Sequence, residues 1–341
     1  SVTMKSLMRL HPAHKTRMSH PMVEVRDLRV TFRSEEGPIY AVDGVDLDLA
    51  PGETLALLGE SGCGKSVTMK SLMRLHPAHK TRIEGSIHIA GEDVLAMNAG
   101  ALSRLRGKTV AMVFQEPMLA FDPVFTIGEQ ICEAVRRHEG CSRADARARA
   151  LEMLERVQIP SARKRLDAYP HEMSGGMRQR AMIALALSCR PKVLLADEPT
   201  TALDATVQIQ VLLLLKELQR EMGMSMIFVT HDVGVAIEVA DRTAVMYAGR
   251  VIEQGPIDTV MRAPWHPYTQ GLLAATVHPG MDRRQALNAI PGSPPQLTRR
   301  IPECAFAPRC TLASASCHDP LPPARMDGDR LLRCIQPASA R

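Results

Sequence analysis

A glycine-rich segment of the chain has the spacing of a phosphate-binding loop. Residues 59–66 read GESGCGKS, which fits the pattern G-x-x-x-x-G-K-[ST], and they follow a short apolar run at 55–58. A strand before such a loop and a helix after it surround phosphate oxygens with backbone N–H groups, while the lysine reaches the β- and γ-phosphates and the last hydroxyl binds Mg²⁺. The pattern therefore predicts a nucleoside triphosphate site. Its predicted binding residues are Gly59, Ser61, Gly62, Cys63, Gly64, Lys65, Ser66 and Val67.

Two adjacent carboxylates follow another short apolar run. Asp197 and Glu198 come directly after residues 193–196, which read VLLA. An aspartate at the end of a buried strand is suited to hold Mg²⁺, and the next glutamate to orient or deprotonate an attacking water. A surface turn is the alternative for an isolated Asp-Glu pair, but the apolar run before this one favours the metal site. We therefore predict Ser66 and Asp197 as Mg²⁺ ligands, and Glu198 and Lys65 as catalytic residues.

The hydrophobic pattern predicts the elements that must position these residues. Short continuous apolar runs are typical of buried strands, and apolar residues spaced i, i+3, i+4 are typical of helices. Strands that alternate with helices indicate an α/β fold with a mainly parallel sheet. Strands are predicted at 23–32, 45–49, 55–58, 110–114, 193–196, 225–230 and 243–247, and helices at 144–157 and 207–220.

Composition narrows the class of protein. The chain has 341 residues, of which 45% are hydrophobic and 23% charged, so a globular core is expected. A net charge of +5 is mild and gives no reason to expect nucleic-acid binding, which usually needs a clustered basic face. The sequence has neither an apolar run of roughly 20 residues nor a secretory signal. We expect a cytoplasmic protein that reaches a membrane only through partners.

Four of the eight cysteines are crowded near the end of the chain, at Cys304, Cys310, Cys317 and Cys334. Four thiolates can hold a [4Fe–4S] cluster or a tetrahedral Zn²⁺. The spacing lacks the paired C-x2-C of most zinc ribbons, which weakens the zinc reading, and disulfides or free thiols are the remaining alternative. Since the composition after residue 275 shifts to Pro, Arg and Cys, we predict a separate, loop-rich extension over 276–341, tied down by such a group.

One segment occurs twice. Residues 1–17, SVTMKSLMRLHPAHKTR, are repeated letter for letter at 66–82. Natural repeats diverge, and repeat folds usually need at least about three copies. We therefore expect the first copy to be a cloning or assembly artefact ahead of a native start at Met18, packing weakly or disordered; a genuine N-terminal extension is the alternative. The second copy is expected to continue the helix that begins at the phosphate-binding loop.

A third motif gives the chain a strong resemblance to the ATPases of the ABC transporter family. Residues 174–179, SGGMRQ, are similar to the family's signature, with Met173 and Met177 where the commonest form has Leu and Gln. The resemblance implies that Ser174, Gly175 and Gly176 contact the γ-phosphate of ATP bound by a second subunit. A helix N-terminus and glycine amides suit such an anion.

Other family elements occur in the expected order. Gln115 resembles the glutamine that senses Mg²⁺ and the attacking water, which implies catalytic and metal roles, and residues 116–123 would meet a membrane partner. Asp204, which ends the segment 201–204, resembles the acidic residue of a loop at the dimer interface. His231 resembles the histidine that hydrogen-bonds the γ-phosphate, although a lone histidine is more often a packed or surface residue.

The resemblance also implies a fold, the cofactors and a binding site for the adenine ring of ATP. The implied fold is an ABC-type, RecA-like P-loop NTPase over 22–275, with an N-terminal antiparallel β subdomain and a helical subdomain at about 116–190. The cofactors are ATP and Mg²⁺. Phe32 is predicted to stack on the adenine, with Tyr40 as the alternative; both could instead be core aromatics.

Two further stretches narrow the branch of the family. Residues 266–273, HPYTQGLL, and 290–295, IPGSPP, resemble the C-terminal region of oligopeptide and dipeptide importer ATPases, although each alone could be a Pro-rich turn. Importers of nickel, glutathione and some sugars share this type of ATPase, so the cargo stays open. The resemblance implies an iron–sulfur cluster in at least some members of the family. This favours a [4Fe–4S] cluster over Zn²⁺ for the four cysteines.

The resemblance implies an assembly at the cytoplasmic face of the plasma (inner) membrane. Its expected members are two transmembrane permease subunits, a second ATPase subunit that is related rather than identical, and a substrate-binding protein that reaches the permeases. Two rival readings are an ABC protein of DNA repair or translation and an exporter ATPase. The first usually carries a long coiled coil, two nucleotide domains or a dense basic patch, and the second is commonly fused to spanning helices.

Overall fold

Two β-sheets, with helices packed around them, make up the part of the chain that the computed structural model describes, residues 20–200, 204–275 and 290–335. The strands are β1 (Val23–Ser34), β2 (Gly37–Leu49), β3 (Thr54–Leu58), β4 (Thr81–Ile89), β5 (Glu92–Asp93), β6 (Val110–Val113), β7 (Val193–Asp197), β8 (Ser225–Val229), β9 (Arg242–Tyr247), β10 (Arg250–Pro256), β11 (Arg325–Asp327) and β12 (Arg330–Leu332). The smaller sheet has the order β2-β1-β4-β5 and is antiparallel. The larger sheet has the order β11-β12-β10-β9-β3-β8-β7-β6.

Parallel strands form the middle of the larger sheet. β3, β8, β7 and β6 lie side by side in parallel, and β9 is parallel to β3 on its other side. Every residue of β3, β7 and β8 is buried, because a parallel sheet is covered on both faces. This is why their sequences are continuous apolar runs. The carboxyl ends of these strands all lie at one edge of the sheet.

The smaller sheet packs on the larger one and shares its core. Val25 and Leu47 of the smaller sheet belong to the same buried cluster as Leu57 and Ile227 of the larger sheet. Residues 45–49 of β2 alternate between buried and more exposed positions, as expected for a strand with one face on the core. The antiparallel subdomain therefore covers one face of the sheet that carries the phosphate-binding loop.

The helices begin and end at residues that suit those positions. Thr126 and Glu129 form a reciprocal capping box, Ser142 caps the next helix, and Gly223 ends a long one with a φ of 62°. The helices are α1 (Lys65–Leu72), α2 (Ala99–Lys108), α3 (Ile127–Glu139), α4 (Arg143–Arg156), α5 (Ala162–Arg165), α6 (Gly175–Leu187), α7 (Ala205–Met222), α8 (Val233–Val239), α9 (Ile257–Arg262) and α10 (Pro267–Ala274).

The predicted fold class is confirmed. Each predicted strand appears as part of β1, β2, β3, β6, β7, β8 or β9, and the helices predicted at 144–157 and 207–220 appear as α4 and α7. Helices α3 to α6 fall within the range predicted for a helical subdomain, 116–190. Among the described residues, no helix combines the length and the apolar character needed to cross a membrane.

The repeated segment follows the prediction only in part. Residues 66–72 of its second copy continue α1 as predicted, but the helix ends at Leu72, and the last residues of the copy begin β4 at Thr81. Arg74 has a φ of 50°, outside the helical region, so the chain turns away from the helix axis. The first copy, at 1–17, lies outside the described residues.

The end of the chain is attached to the larger sheet. β11 and β12 form an antiparallel hairpin, and β12 pairs with β10 through Glu253–Leu332 and Gln254–Leu331. The hairpin thus attaches residues 290–335 to the larger sheet, and the predicted boundary of the extension at residue 276 stays a prediction. Residues 276–289 and 336–341 lie outside the described part.

Candidate nucleotide site

The site lies where four parallel strands end. The phosphate-binding loop follows β3, His231 follows β8, Asp197 and Glu198 stand at the end of β7, and Gln115 follows β6. Because these strands are neighbours in the order β3-β8-β7-β6, their carboxyl ends bring all of these side chains to one edge of the sheet. Ligands of open α/β sheets bind at this edge.

Two glycines allow the loop its shape. Gly59 has a φ of 147° and Gly64 a φ of 105°, both in the region that L side chains rarely adopt. A Cβ atom on Gly59 would lie 2.3 Å from the carbonyl oxygen of Met246, and one on Gly64 would lie 2.6 Å from that of Ala41. The loop is thus pressed against the backbone of both sheets, while Ser61 and Gly62 stay exposed at its tip.

Lys65 is buried at the start of α1, with 5% of its surface exposed. Its ammonium group donates hydrogen bonds to the carbonyl oxygens of Gly59 at 2.7 Å and Glu60 at 2.9 Å, and lies 3.7 Å from the sulfur of Cys63. A buried ammonium group needs such acceptors. The loop carbonyls therefore hold the cation inside the loop, where phosphate oxygens can replace them.

The predicted Mg²⁺ ligands Ser66 and Asp197 are in contact. The Ser66 hydroxyl donates to the Asp197 carboxylate at 2.7 Å, which joins the loop to the end of β7. Burial raises the pKa of the Asp197 carboxyl above its ordinary value, and the hydrogen bond from Ser66 opposes part of that rise. A hydroxyl and a buried carboxylate that lacks full compensation are oxygen ligands suited to Mg²⁺, so these residues fit the predicted ion.

Glu198 contacts two of the other predicted catalytic residues, Gln115 and His231. Its carboxylate oxygen Oε2 accepts a hydrogen bond from Gln115 Nε2 at 3.3 Å, and His231 Nδ1 lies 3.5 Å from the same oxygen. The backbone of Glu198 has a φ of 45° and donates its N–H to the Val229 carbonyl oxygen at 3.1 Å. Such a backbone costs about 1–3 kcal/mol and persists where its surroundings enforce it. Glu198 thus combines a strained backbone with a carboxylate that contacts two neighbours.

The signature-like segment lies elsewhere on the same chain. Ser174 caps α6 by accepting a hydrogen bond from the Met177 N–H at 3.3 Å, and Ser174 and Gly175 are exposed. A Cβ atom on Gly176 would lie 3.0 Å from a methyl group of Val207, in the first turn of α7. Asp204 caps α7 by accepting from the Val207 N–H at 3.0 Å. The rest of that predicted loop, residues 201–203, lies outside the described residues.

The two aromatic candidates for the adenine have different neighbours. The Phe32 ring is half-buried and packs edge-on against His76, with 5.1 Å between ring centroids. His76 in turn lies 3.1 Å from the carbonyl oxygen of Val67 in α1. Tyr40 instead lies beneath Arg300, whose guanidinium carbon is 5.4 Å from the ring centroid. The predicted role of Phe32 in stacking stays a prediction.

The four cysteines near the end of the chain are not arranged as a metal site. Cys304, Cys310 and Cys317 are free thiols, and among the described residues no group of three or more His, Cys, Asp or Glu side chains could hold a metal ion. Burial raises the pKa of the Cys304 and Cys310 thiols, and the neighbouring Cys317 raises both further. The described residues therefore do not support the predicted cluster or Zn²⁺.

Sequence reasoning missed the residues that hold the start of the loop. The Tyr268 hydroxyl accepts a hydrogen bond from the Glu60 N–H at 2.8 Å, and Arg309 binds the Glu60 carboxylate. Tyr268 lies in the stretch 266–273, whose pattern indicated a branch of the family but no role for the individual residue. The signal available for Arg309 was only its place directly before Cys310.

Comparisons with known proteins agree with this geometry. A family model described as ABC transporter matches residues 42–201, and one described as oligopeptide/dipeptide transporter, C-terminal region, matches residues 252–317. The chain is 52% identical over 316 residues to a Brucella abortus protein named for peptide import and ATP binding. This match covers 92% of this chain and 94% of the relative. A Brucella melitensis protein of the same description is 50% identical over 328 residues, covering 93% and 97%.

Solved structures are similar as well. A dimeric ATP-binding cassette in a post-hydrolysis state, bound to ADP and phosphate, is 30% identical with a TM-score of 0.62; the match covers 69% of this chain and 99% of that one. Part of an ABC transporter complex from Clostridium perfringens is 27% identical with a TM-score of 0.60, covering 72% and 92%.

The close contact at Gly64 makes a prediction about the loop. In Gly64→Ala the new methyl group meets the Ala41 carbonyl oxygen and the backbone strain increases, so the loop must move. We expect the ATP dissociation constant to rise about tenfold or more, measured by equilibrium binding to the full chain. Gly91→Ala is the control, because Gly91 also has a positive φ, 83°, but has nothing within 4 Å of the new atom. Equal ATP affinities for the two variants would contradict the role of the contact.

Proposed function

This chain belongs to the oligopeptide/dipeptide importer branch of the ABC transporter ATPases, and from that premise we propose that it hydrolyses ATP to drive peptide import. The observation that carries the proposal is the convergence of Gln115 and His231 on one oxygen of Glu198, at the sheet edge where Ser66 meets Asp197. The relatives named for peptide import cover nearly the whole chain, which supports peptides as the cargo.

The loop residues bind the triphosphate in the proposed reaction. Lys65 exchanges its contacts with the carbonyl oxygens of Gly59 and Glu60 for oxygens of the β- and γ-phosphates. Ser66 and Asp197, with Gln115, would hold Mg²⁺, which when bound neutralises charge that develops on the phosphates. Phe32 stacks on the adenine. These groups act mainly by positioning and by electrostatic stabilisation.

Glu198 acts on the water. Its carboxylate orients a water molecule for in-line attack and accepts a proton as the new P–O bond forms and the bond to the leaving ADP breaks. Gln115 and His231 hold the carboxylate in place, and His231, whose side chain is 63% exposed, can also reach the γ-phosphate. The strained backbone of Glu198 supports the same orientation.

A second ATPase subunit completes the proposed site. Ser174, Gly175 and Gly176 form an exposed helix N-terminus, which suits a γ-phosphate bound by another subunit. Asp204 lies beside this segment through Val207 and would belong to the same interface. The solved cassettes that resemble this chain include a dimer. We propose a related rather than identical partner, as the family resemblance implies.

The proposed assembly also contains two transmembrane permeases and a substrate-binding protein that reaches them. Residues 116–123, which follow Gln115, would contact the permeases. Closure of the ATPase dimer on ATP would turn the permeases outward, and hydrolysis would reset them. This places the chain at the cytoplasmic face of the inner membrane as a peripheral subunit.

The sequence-based prediction of a [4Fe–4S] cluster, or of Zn²⁺, on Cys304, Cys310, Cys317 and Cys334 is kept apart from this mechanism. Cys317 raises the pKa values of Cys304 and Cys310, which supports a short distance from its thiol to each of theirs. The arrangement of the described residues opposes a bound metal.

Metal analysis tests the cysteines. Since no group of three or more possible ligands is gathered among the described residues, we expect protein purified without oxygen to contain far less than one iron or zinc per chain. Stoichiometric zinc would contradict this expectation, and so would iron with acid-labile sulfide and absorbance near about 400 nm. The Cys317→Ser variant would identify the ligand set in either case.

The role of Glu198 predicts a separation of binding from turnover. Glu198→Gln removes the proton acceptor but keeps the size of the side chain, so we expect ATP affinity close to that of the unaltered chain and a turnover lower by about a hundredfold or more. Equilibrium ATP binding and steady-state phosphate release measure the two quantities. Glu217→Gln makes the same chemical change on the exposed surface of α7 and should alter neither. Normal turnover in Glu198→Gln would show that another group acts on the water.

The proposed cargo predicts a transport defect. Deletion of the gene in its native host should abolish uptake of labelled di- or oligopeptides that depends on the cognate binding protein. The unaltered gene should restore uptake, and the gene for Glu198→Gln should not. Loss of nickel, glutathione or sugar uptake with normal peptide uptake would assign the transporter to that cargo instead.

A further inference from the structure

Glu60, the second residue of the phosphate-binding loop, connects the loop to the end of the chain. Its N–H donates to the Tyr268 hydroxyl at 2.8 Å, and its carbonyl oxygen accepts from the Lys65 ammonium group at 2.9 Å. Its carboxylate is bound by Arg309, 249 residues further along the chain. All three polar parts of this one residue therefore have a partner, and one of the partners is the lysine of the site.

Arg309 binds the Glu60 carboxylate with both ends of its guanidinium group. The distances are 2.7 Å to one carboxylate oxygen and 3.0 Å to the other. The two parallel hydrogen bonds hold the carboxylate in one orientation, and the guanidinium charge balances the carboxylate charge. The side chain of Arg309 is only 5% exposed, so solvent screens this pair far less than a surface ion pair.

The guanidinium group is itself held from every side. Its Nε donates to the Pro291 carbonyl oxygen at 2.8 Å, and its terminal nitrogens lie 3.4 Å from the Ile290 carbonyl oxygen and 3.3 Å from the Tyr247 hydroxyl. The group also lies over the rings of Tyr247 and Phe306, at 5.8 and 6.0 Å. The Glu60 hydrogen bonds raise the pKa of Arg309 further above its already high value, so it stays charged.

A carboxylate in a phosphate-binding loop presents an electrostatic problem. The loop must attract a triphosphate that carries several negative charges, and an uncompensated Glu60 would repel it across a few ångströms of partly buried space. A fully hydrogen-bonded Arg309 cancels that charge without competing for the phosphates, since its donors are taken by Glu60 and by backbone carbonyls. Lys65 remains the cation of the loop that can exchange its partners.

We propose that Arg309 is a positioning residue for nucleotide binding: held by the C-terminal extension, it neutralises the Glu60 carboxylate at the start of the phosphate-binding loop. This inference rests on the proposed function, because it requires a nucleotide in the loop. It gives residues 290–335 a role in the ATP site, to which they contribute no predicted ligand.

The chain offers a matched control for Arg309. Arg330 anchors the same extension through a second buried pair, donating to the Glu253 carboxylate at 2.6 Å, with side chains 5% and 0% exposed. It also lies over the Trp265 ring at 3.7 Å. Arg330 contacts β10 and the segment around Trp265, away from the phosphate-binding loop. Loss of either arginine weakens the attachment of the extension, but only loss of Arg309 leaves a carboxylate uncompensated in the loop.

The test compares ATP dissociation constants for full-length variants, with thermal unfolding measured in parallel. For Arg309→Gln we expect a rise of about tenfold, the size of one partly screened charge interaction. In the double variant Arg309→Gln with Glu60→Gln the affinity should return to within about threefold of the unaltered chain, since the repelling charge is gone. Glu60→Gln alone should bind ATP as tightly as the unaltered chain or more tightly. Arg330→Gln should lower the unfolding temperature and leave the ATP affinity unchanged.

The other outcomes are equally informative. If the double variant binds ATP as weakly as Arg309→Gln, Arg309 acts only as an anchor of the extension and the proposal is wrong. The same follows if Arg330→Gln weakens ATP binding as much as Arg309→Gln. Should Arg309→Gln fail to fold, Arg309→Lys is the replacement variant, because it keeps the charge at this position. Glu60→Gln alone still tests the proposal, because weaker ATP binding in that variant would overturn it. Failure of the unaltered chain to bind ATP would instead remove the proposed function.

Discussion

The site depends on a buried ammonium group. Lys65 lies inside the phosphate-binding loop, and the only acceptable surroundings for its charge are carbonyl oxygens or anions. The loop meets this need by turning the carbonyl groups of Gly59 and Glu60 inward, which requires unusual backbone angles at Gly59 and Gly64. The shape that accommodates one cation is also the shape that admits a triphosphate, so binding exchanges one set of oxygen partners for another.

The parallel sheet supplies everything else that the loop needs. Because β3, β8, β7 and β6 are short, buried and parallel, one edge of the sheet collects a hydroxyl, two carboxylates, an amide and an imidazole from distant parts of the sequence. Ser66 meets Asp197, and Glu198 meets Gln115 and His231. Burial raises the pKa of Asp197, and the hydrogen bond from Ser66 offsets part of that rise. The signature-like segment at Ser174 lies exposed on the same chain, as expected for a group offered to another subunit.

The parts of the fold that could be predicted are those that produce a recognisable pattern among neighbouring residues. Residues 55–58 and 193–196 are continuous apolar runs because they are buried on both faces, and the glycines and lysine after 58 have a spacing that few other functions require. The strands β4 and β10 were missed because their side chains do not form such runs. The pair Glu60–Arg309 could not be predicted, since it joins residues 249 positions apart whose types are ordinary on any surface. The cysteine spacing suggested a metal site, but spacing alone does not bring thiols to a common centre.

The most direct measurement is the affinity of the full chain for Mg-ATP with and without the Lys65 ammonium group, determined by titration calorimetry. Lys65→Ala removes the cation that exchanges loop carbonyls for phosphate oxygens, and the account predicts an affinity about a hundredfold lower. Lys164→Ala, which removes an exposed lysine, should bind normally. An affinity in Lys65→Ala equal to that of the unaltered chain would contradict the central claim.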